Sequence, residues 1–130
     1  MDTTCDLCLS AIETADHLFG ACPAMIHIWK HLSVATSSRI SIMNLEELWA
    51  HMVEAPNLGN EAVRVAVARI ILPAAVWATW VTRNGVLFRQ NRFYIENLWD
   101  TTVGFIKDWG CSLAGARRVF LLREKLVIEM

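Results

Sequence analysis

The sequence lacks the long uncharged run that a membrane-spanning helix requires. Such a helix needs about 20 apolar residues, whereas the uncharged run at residues 70–82 has thirteen residues, with Pro73 among them. The first residues also lack the basic region and the apolar stretch of a secretory signal. We therefore expect an intracellular protein, cytoplasmic or nuclear, with association with an organelle as an alternative.

The sequence also lacks any arrangement typical of a catalytic site. It contains no recognisable nucleophile triad, no glycine-rich loop of the kind that binds phosphate, and no cluster of carboxylates like that of a polymerase or nuclease. We therefore expect a protein that is not an enzyme.

Basic residues are scarce in the first half of the chain. Residues 1–60 hold two Lys or Arg and seven Asp or Glu, and residues 61–130 hold ten and six, so the halves carry −5 and +4. Because affinity for nucleic acid depends largely on neutralising phosphates, we expect such binding to be weak. The best candidates for phosphate contacts are Arg83, Arg89 and Arg92, although a solvated face is the simpler interpretation. A second basic cluster consists of Arg117, Arg118, Arg123 and Lys125.

Cysteine is uncommon, but three of the four cysteines lie within the first 22 residues. Together with one histidine they form the spacing C-x2-C-x8-H-x4-C, whose members are Cys5, Cys8, His17 and Cys22. Zinc takes four tetrahedral ligands of this kind, and a C-x2-C pair on a tight turn supplies two of them. The other two can reach the same ion if a short helical turn at residues 15–19 ends at Gly20. With four protein ligands no coordination position stays open, so we predict a structural zinc site.

Other interpretations of these residues stay open. The C-x2-C pair could be a redox pair or a coincidence, although no β-rich run precedes Cys5 as it would in a thioredoxin-like unit. His27 and His31 lie four residues apart on the next helix and could compete for the metal, but surface positions are the simpler interpretation. Without an export signal we expect no disulfides, which leaves Cys111 as a free thiol.

Apolar periodicity predicts a mainly α-helical fold. We expect a small N-terminal zinc-binding loop followed by a bundle of four to five helices around a long central helix. Residues 1–32 form the zinc-binding segment and first helix, and residues 33–130 form a helical region packed with it as a single domain. Predicted helices cover residues 23–32, 44–55, 60–84 and 95–109, with a loop at 33–41 and an undecided tail at 116–130.

Particular residues refine these helices. Asn44 with Glu47 predicts a capping box, Pro73 predicts a bend in the central helix, and Gly85 is a candidate left-handed cap. The tryptophans fit helix cores better than stacking platforms for bases. On this interpretation Trp29, Trp49 and Trp99 lie on apolar stripes, and Trp77 and Trp80 are buried at the centre.

Two stretches resemble a known family. The first comprises the C-x2-C pair, Glu13 to Phe19 read as E-T-x-x-H-L-F, Cys22-Pro23 and Trp29; the second is W-x-x-W-x-x-R-N-x-x-x-F, from Trp77 to Phe88. Together they resemble the zinc-binding domain that follows the reverse transcriptase of plant non-LTR, LINE-type retrotransposons. The resemblance implies bound Zn2+ and a role beside nucleic acid. The chain contains no polymerase or endonuclease sequence.

Three functions are consistent with the sequence. The chain is 55% apolar, and an apolar excess of this kind favours association with a protein partner or with a second copy. Nucleic-acid binding, inherited from a retrotransposon, is the first alternative. Disruption of membranes or organelles by apolar helices, as by a toxic selfish element, is the second.

Overall fold

A computed structural model describes residues 4–36, 39–53 and 67–110. Four α-helices dominate these ranges: α1 (Pro23–Thr36), α2 (Leu45–Val53), α3 (Leu72–Phe88) and α4 (Ile95–Gly110). Two short π-helical segments, His17–Ala21 and Val67–Ile71, precede α1 and α3. Within the described ranges the only strand-like pairing is an isolated bridge between Thr4 and Ile12. The prediction of a mainly helical fold with an N-terminal Cys/His loop is confirmed.

Helix α1 begins at Pro23 and buries the predicted apolar stripe. Pro is well suited to a first helical turn because its missing amide hydrogen would have no partner there. Four stripe residues are fully or almost fully buried: Met25, Ile28, Trp29 and Leu32. The prediction of a loop from residue 33 is wrong, since α1 continues to Thr36. The Ser33 and Thr36 hydroxyls donate to the carbonyls one turn back, at 2.8 Å each, and so remain compatible with the helix.

Helix α2 has the predicted cap but not the predicted burial. Asn44 Oδ1 accepts a 2.8 Å hydrogen bond from the Glu47 amide, and Asn44 Nδ2 donates to Glu47 Oε1 at 3.3 Å. Of the apolar stripe, however, only Leu48 is buried, while Leu45 and Trp49 are exposed. The prediction that Trp49 lies in the core is therefore wrong.

Helix α3 follows a π-helical segment whose apolar side chains are buried. The widened turn Val67–Ile71 lies just before Pro73, where the sequence predicts a bend; residues 60–66 of the predicted helix lie outside the described ranges. The prediction for Gly85 is wrong. The helix runs past it to Phe88, and the left-handed conformation falls on Gln90, with φ of 57°.

The buried face of α3 consists of small residues, and this overturns the prediction for its tryptophans. Ala74, Ala75, Ala78 and Thr79 face the core, whereas Trp77 is 48% exposed and Trp80 41% exposed. Small side chains allow another helix to approach closely, so a helix apolar on nearly all sides packs best through its alanines. The tryptophans consequently lie on the opposite side.

Helix α4 supplies large side chains to the same core. It has the predicted extent and buries Leu98, Trp99, Val103 and Ile106. The broadest contact between two elements joins α3 and α4. Helix α1 packs on the same core, where the Thr79 hydroxyl of α3 lies 3.1 Å from the sulfur of Met25.

No helix in the described ranges is both long and apolar enough to cross a membrane. The predicted tail at residues 116–130, its basic cluster and the free thiol of Cys111 lie outside those ranges.

Candidate metal centre

A tight loop presents the first two cysteines. The Cys5 amide donates to the Ala11 carbonyl at 2.8 Å, and the Leu9 amide donates to the Cys5 carbonyl at 2.9 Å. Leu9 itself is left-handed, with φ of 58°, a conformation that is uncommon for a branched residue. The chain thereby reverses directly after Cys8, so that both thiols of the C-x2-C pair point to the same side.

A π-helical turn delivers the other two candidate ligands. The Thr14 hydroxyl accepts a 3.0 Å hydrogen bond from the His17 amide, which holds the start of the turn. At its end the Cys22 amide donates to the His17 carbonyl at 2.7 Å, so these two ligands share one turn of backbone. The predicted helical turn is therefore present, as a π-helix that runs one residue past Gly20 to Ala21.

The four candidate ligands meet at one point. The ligand atoms of Cys5, Cys8, His17 and Cys22 all lie within 4.8 Å of one another. The Sγ atoms of Cys5 and Cys22 are 4.0 Å apart, and Cys8 Sγ is 3.3 Å from His17 Nε2. Tetrahedral zinc, with bonds of about 2.3 Å to sulfur and 2.0–2.1 Å to nitrogen, separates such pairs by roughly 3.8 and 3.6 Å. The set can therefore hold a metal ion such as zinc with only small adjustments.

The thiols differ in their acid–base properties. Burial raises the pKa of Cys22 to about 12, and burial also raises that of Cys5. At Cys8 burial again opposes ionisation, but hydrogen bonds from Ser10, then from His17, outweigh it and lower the pKa to about 6. Metal binding at neutral pH must therefore release protons from the two buried thiols, and the cation would compensate the buried negative charge.

Three contacts hold the metal loop (residues 4–22) against the helices. Trp29 of α1 donates its indole N–H to the Phe19 carbonyl at 3.1 Å, and Asp16 Oδ1 accepts from the Leu45 amide of α2 at 2.8 Å. Gly20 lies against the backbone of Met43, where an added Cβ would come within 2.6 Å of the carbonyl oxygen. Only glycine fits this close approach.

A fourth contact joins the metal loop to α3. Both Arg83 Nε and Nη2 reach Glu13 Oε1, at 2.8 and 2.6 Å, and the two side chains are each only 17% exposed. The guanidinium also lies 5.2 Å from the ring centroid of Trp80, close enough for a cation–π interaction. Glu13 Oε2 is buried and has no hydrogen-bond partner among the described residues. Residues 70 positions apart are thus linked by charge.

The three arginines proposed for phosphate contacts have different surroundings. Arg83 is engaged by Glu13 and Trp80, whereas Arg89 and Arg92 are exposed in the connection between α3 and α4. Nothing tests their role in nucleic-acid binding, which stays a prediction.

His27 and His31 are separate from the metal loop's ligand set. Among the described residues, the one group of three or more potential ligands is the set of four in the metal loop. The two histidines instead contact each other, with ring centroids 4.2 Å apart, and His31 contacts Trp99.

Sequence reasoning missed the polar residues that support the site. Ser10 donates to Cys8 Sγ at 3.4 Å, and Asp16 serves as a cap for α2, 29 residues away. A hydroxyl two residues after a ligand is a local sequence signal for a hydrogen bond to the thiol. The role of Asp16 has no local signal, because α2 already has its own cap in Asn44.

Comparisons of the chain with family models, curated proteins and solved structures found no match. Fold and site together define a mainly α-helical protein whose N-terminal loop gathers three cysteines and one histidine that can hold a metal ion such as zinc.

Proposed function

We propose that this chain is a non-catalytic, zinc-stabilised helical module that acts by binding another protein. The observation that carries the proposal is the number of large apolar side chains on the surfaces of α2 and α3. Large apolar side chains contribute most to protein interfaces because their burial removes extensive apolar area from water.

The larger of these surfaces lies on α3. Trp77, Trp80, Val81 and Phe88 follow the spacing of one helical face, and all four are exposed, Phe88 to 72%. Leu87 is exposed beside them. Several large apolar side chains exposed on one face of a helix are typical of interaction sites. We call these five residues the α3 apolar surface.

A second, smaller apolar stripe lies on α2. Leu45, Trp49 and Val53 are spaced four residues apart and are all exposed, Trp49 to 67%. On the other side of the same helix Leu48 is buried and Met52 is half-buried against the core. A helix with more large apolar side chains outside than inside favours a partner on its outer face.

The proposed role of zinc is to hold the metal loop in place. With Cys5, Cys8, His17 and Cys22 as ligands, bound zinc has no open coordination position for a substrate, which favours structure over catalysis. The loop in turn positions α1, α2 and α3 through Trp29, Asp16 and Glu13.

A contact between the two stretches that carry the family resemblance supports a retrotransposon origin. Glu13 of E-T-x-x-H-L-F pairs with Arg83 of W-x-x-W-x-x-R-N. Within the first stretch, Trp29 donates to the carbonyl of Phe19. Residues of two separate motifs therefore interact directly, which explains in physical terms why they would occur together. We infer that the chain derives from the zinc-binding domain of such an element.

The test is a comparison of variants on and off the α3 apolar surface. Trp77→Gln combined with Phe88→Gln changes two exposed residues, and Asp100→Asn, exposed on α4, is the matched control. We expect partners captured from native tissue by the wild type and the control to be lost from the double variant, with unchanged circular dichroism. Sizing by light scattering then distinguishes a foreign partner from a second copy. Equal capture by all three proteins would contradict the proposal.

Nucleic-acid binding is the second candidate, favoured by exposed Arg89 and Arg92 next to exposed Asn91. Cations beside an amide donor can contact phosphates. The decisive measurement is binding to single- and double-stranded nucleic acid across a salt series. Sub-micromolar affinity at physiological salt that weakens steeply with added salt, and disappears in Arg89→Gln/Arg92→Gln, would favour this candidate over protein binding.

A further inference from the structure

A pair of histidines lies on α1, outside the set of ligands in the metal loop. His27 and His31 are separated by one helical turn and lie on the same face, with ring centroids 4.2 Å apart and ring planes inclined by 70°. His27 is exposed and His31 is half-buried. Among the described residues, neither ring takes part in a hydrogen bond. Within those ranges, no hydrogen bond competes with a metal ion for their ring nitrogens.

The spacing of the two rings suits a shared metal ion. Two imidazoles that bind one ion through nitrogens at about 2.0–2.1 Å have ring centroids roughly 4.5–5 Å apart. The observed 4.2 Å needs only a small outward rotation of one ring. His31 packs against Trp99, at 5.4 Å between centroids, whereas His27 is exposed and can adjust. One ligand is therefore held in place and the other is adaptable.

The charges around the pair permit metal binding at neutral pH. An imidazole must be neutral to bind a metal. Partial desolvation of its otherwise exposed ring, and then the neighbouring His31, lower the pKa of His27. The carboxylate of Glu96 on α4 opposes this effect and would attract a cation, while Lys30 acts in the opposite sense. The pair therefore has one favourable and one unfavourable charged neighbour.

One member of the pair, His27, lies close to the metal loop. His27 and Cys8 line the same surface groove, together with Pro23 at the start of α1 and Phe93 before α4. The two sites are nonetheless chemically different. The four ligands of the metal loop complete a coordination sphere, whereas two imidazoles leave positions for water or an exchanging ligand.

We propose that His27 and His31 form a second site for divalent transition-metal ions, weaker and more readily exchanged than the set in the metal loop. Imidazole nitrogen suits Ni2+, Cu2+ and Zn2+, and water fills the remaining coordination positions. This site does not depend on the protein-binding function proposed above.

The test titrates Ni2+ into the untagged 130-residue chain after zinc loading and removal of excess zinc. Calorimetry gives affinity and stoichiometry, and elemental analysis of the same sample gives the content of both metals. The variants are His27→Gln and His31→Gln. The matched control is His51→Gln on α2, since His51 Nδ1 lies 2.8 Å from the Glu47 carbonyl oxygen and is remote in sequence from the pair.

We expect the wild type and His51→Gln to bind one Ni2+ per chain with zinc content unchanged. Each variant of the pair should bind at least ten times more weakly. Nickel should also quench part of the tryptophan emission in the wild type, because His31 contacts Trp99. His27→Gln should abolish that quenching, and its exposed position keeps it informative if His31→Gln disturbs the packing of Trp99. Absence of nickel binding, nickel gained only as zinc is lost, or wild-type affinity in His27→Gln would each overturn the proposal.

Discussion

The metal loop and the α3–α4 pair are held together in opposite ways. In the loop, polar groups determine the positions: four candidate ligands within 4.8 Å, an ion pair, and hydrogen bonds to α1 and α2. In the helix pair, apolar side chains do so: the alanines of α3 and Leu98, Trp99, Val103 and Ile106 of α4 are all buried in the core. The loop depends on directional contacts and can hold a metal ion, whereas the helix pair depends on burial.

This difference has a consequence for stability. Directional contacts are lost all at once when a central group is removed, because each remaining polar partner is left buried without compensation. Apolar contacts are lost in proportion to the area and volume removed. The two regions should therefore respond very differently to chelation and to truncation of side chains.

The largest expected effect comes from removing ligands. Cys8→Ala/Cys22→Ala should reduce zinc from one ion per chain to none, as measured by elemental analysis, and should unfold the metal loop. Structural zinc contributes about 10–16 kcal/mol of binding free energy in zinc-finger peptides, more than any single side chain here. Chelation should act likewise, while α3 and α4 keep their helical signal. Cys111→Ala is the control, and wild-type zinc content in the double variant would refute the ligand assignment.

The next largest effect is expected in the helix pair. Leu98 is fully buried, so Leu98→Ala should lower the free energy of unfolding by about 2–5 kcal/mol. Val76 is half-buried, and Val76→Ala should fall at or below the lower end of that range. Trp77→Ala removes a larger but exposed side chain and should cost less than Leu98→Ala. Denaturant titration measures the free energy of unfolding of all three variants. A loss for Trp77→Ala equal to or greater than that for Leu98→Ala would show that the Trp77 side chain is buried in solution.

A smaller effect should follow from breaking the link between the two regions. Arg83→Ala leaves Glu13 partly buried without its charge partner, at an expected cost of about 1–3 kcal/mol. A double-mutant cycle with Glu13→Ala separates this coupling from the loss of packing on Trp80. If the losses of unfolding free energy in the two single variants add up to the loss in the double variant, the ion pair does not couple the loop to α3.

The smallest effect is expected at the cap that the metal loop provides to α2. Asp16→Ala removes the acceptor for the Leu45 amide and should cost about 1 kcal/mol. Asp16→Asn keeps an acceptor oxygen and should cost less, which makes it the matched control. Thermal unfolding of both variants measures the difference, and a cost for Asp16→Asn equal to that for Asp16→Ala would exclude a capping role.

Local signals made several elements predictable. The spacing of Cys5, Cys8, His17 and Cys22 indicates a shared site because a tight turn and one helical turn suffice to bring the ligands together. The capping box of Asn44 and the extent of α4 were predictable for the same reason, since both depend on residues close in sequence.

The face of a uniformly apolar helix had no such signal. Nearly every side of α3 is apolar, so the hydrophobic periodicity does not indicate which face is buried. Because Trp77 and Trp80 are the largest apolar side chains of the helix, they were expected to lie in the core. Packing of α3 in the core favours the alanines instead because small side chains let neighbouring helices approach closely. The exposure of Trp49 on α2 was likewise not predictable from the sequence. Leu48 is the side chain that packs into the core, and Trp49 is therefore exposed.

The sequence by itself determined the helical content, the ligand spacing and the cap of α2, because each of these results from interactions within a few residues. The tertiary structure alone decided which apolar side chains of α2 and α3 are buried, that Arg83 pairs with Glu13, and that Asp16 caps a distant helix. These properties depend on contacts between elements that are remote in sequence, and such contacts form only when the helices pack together.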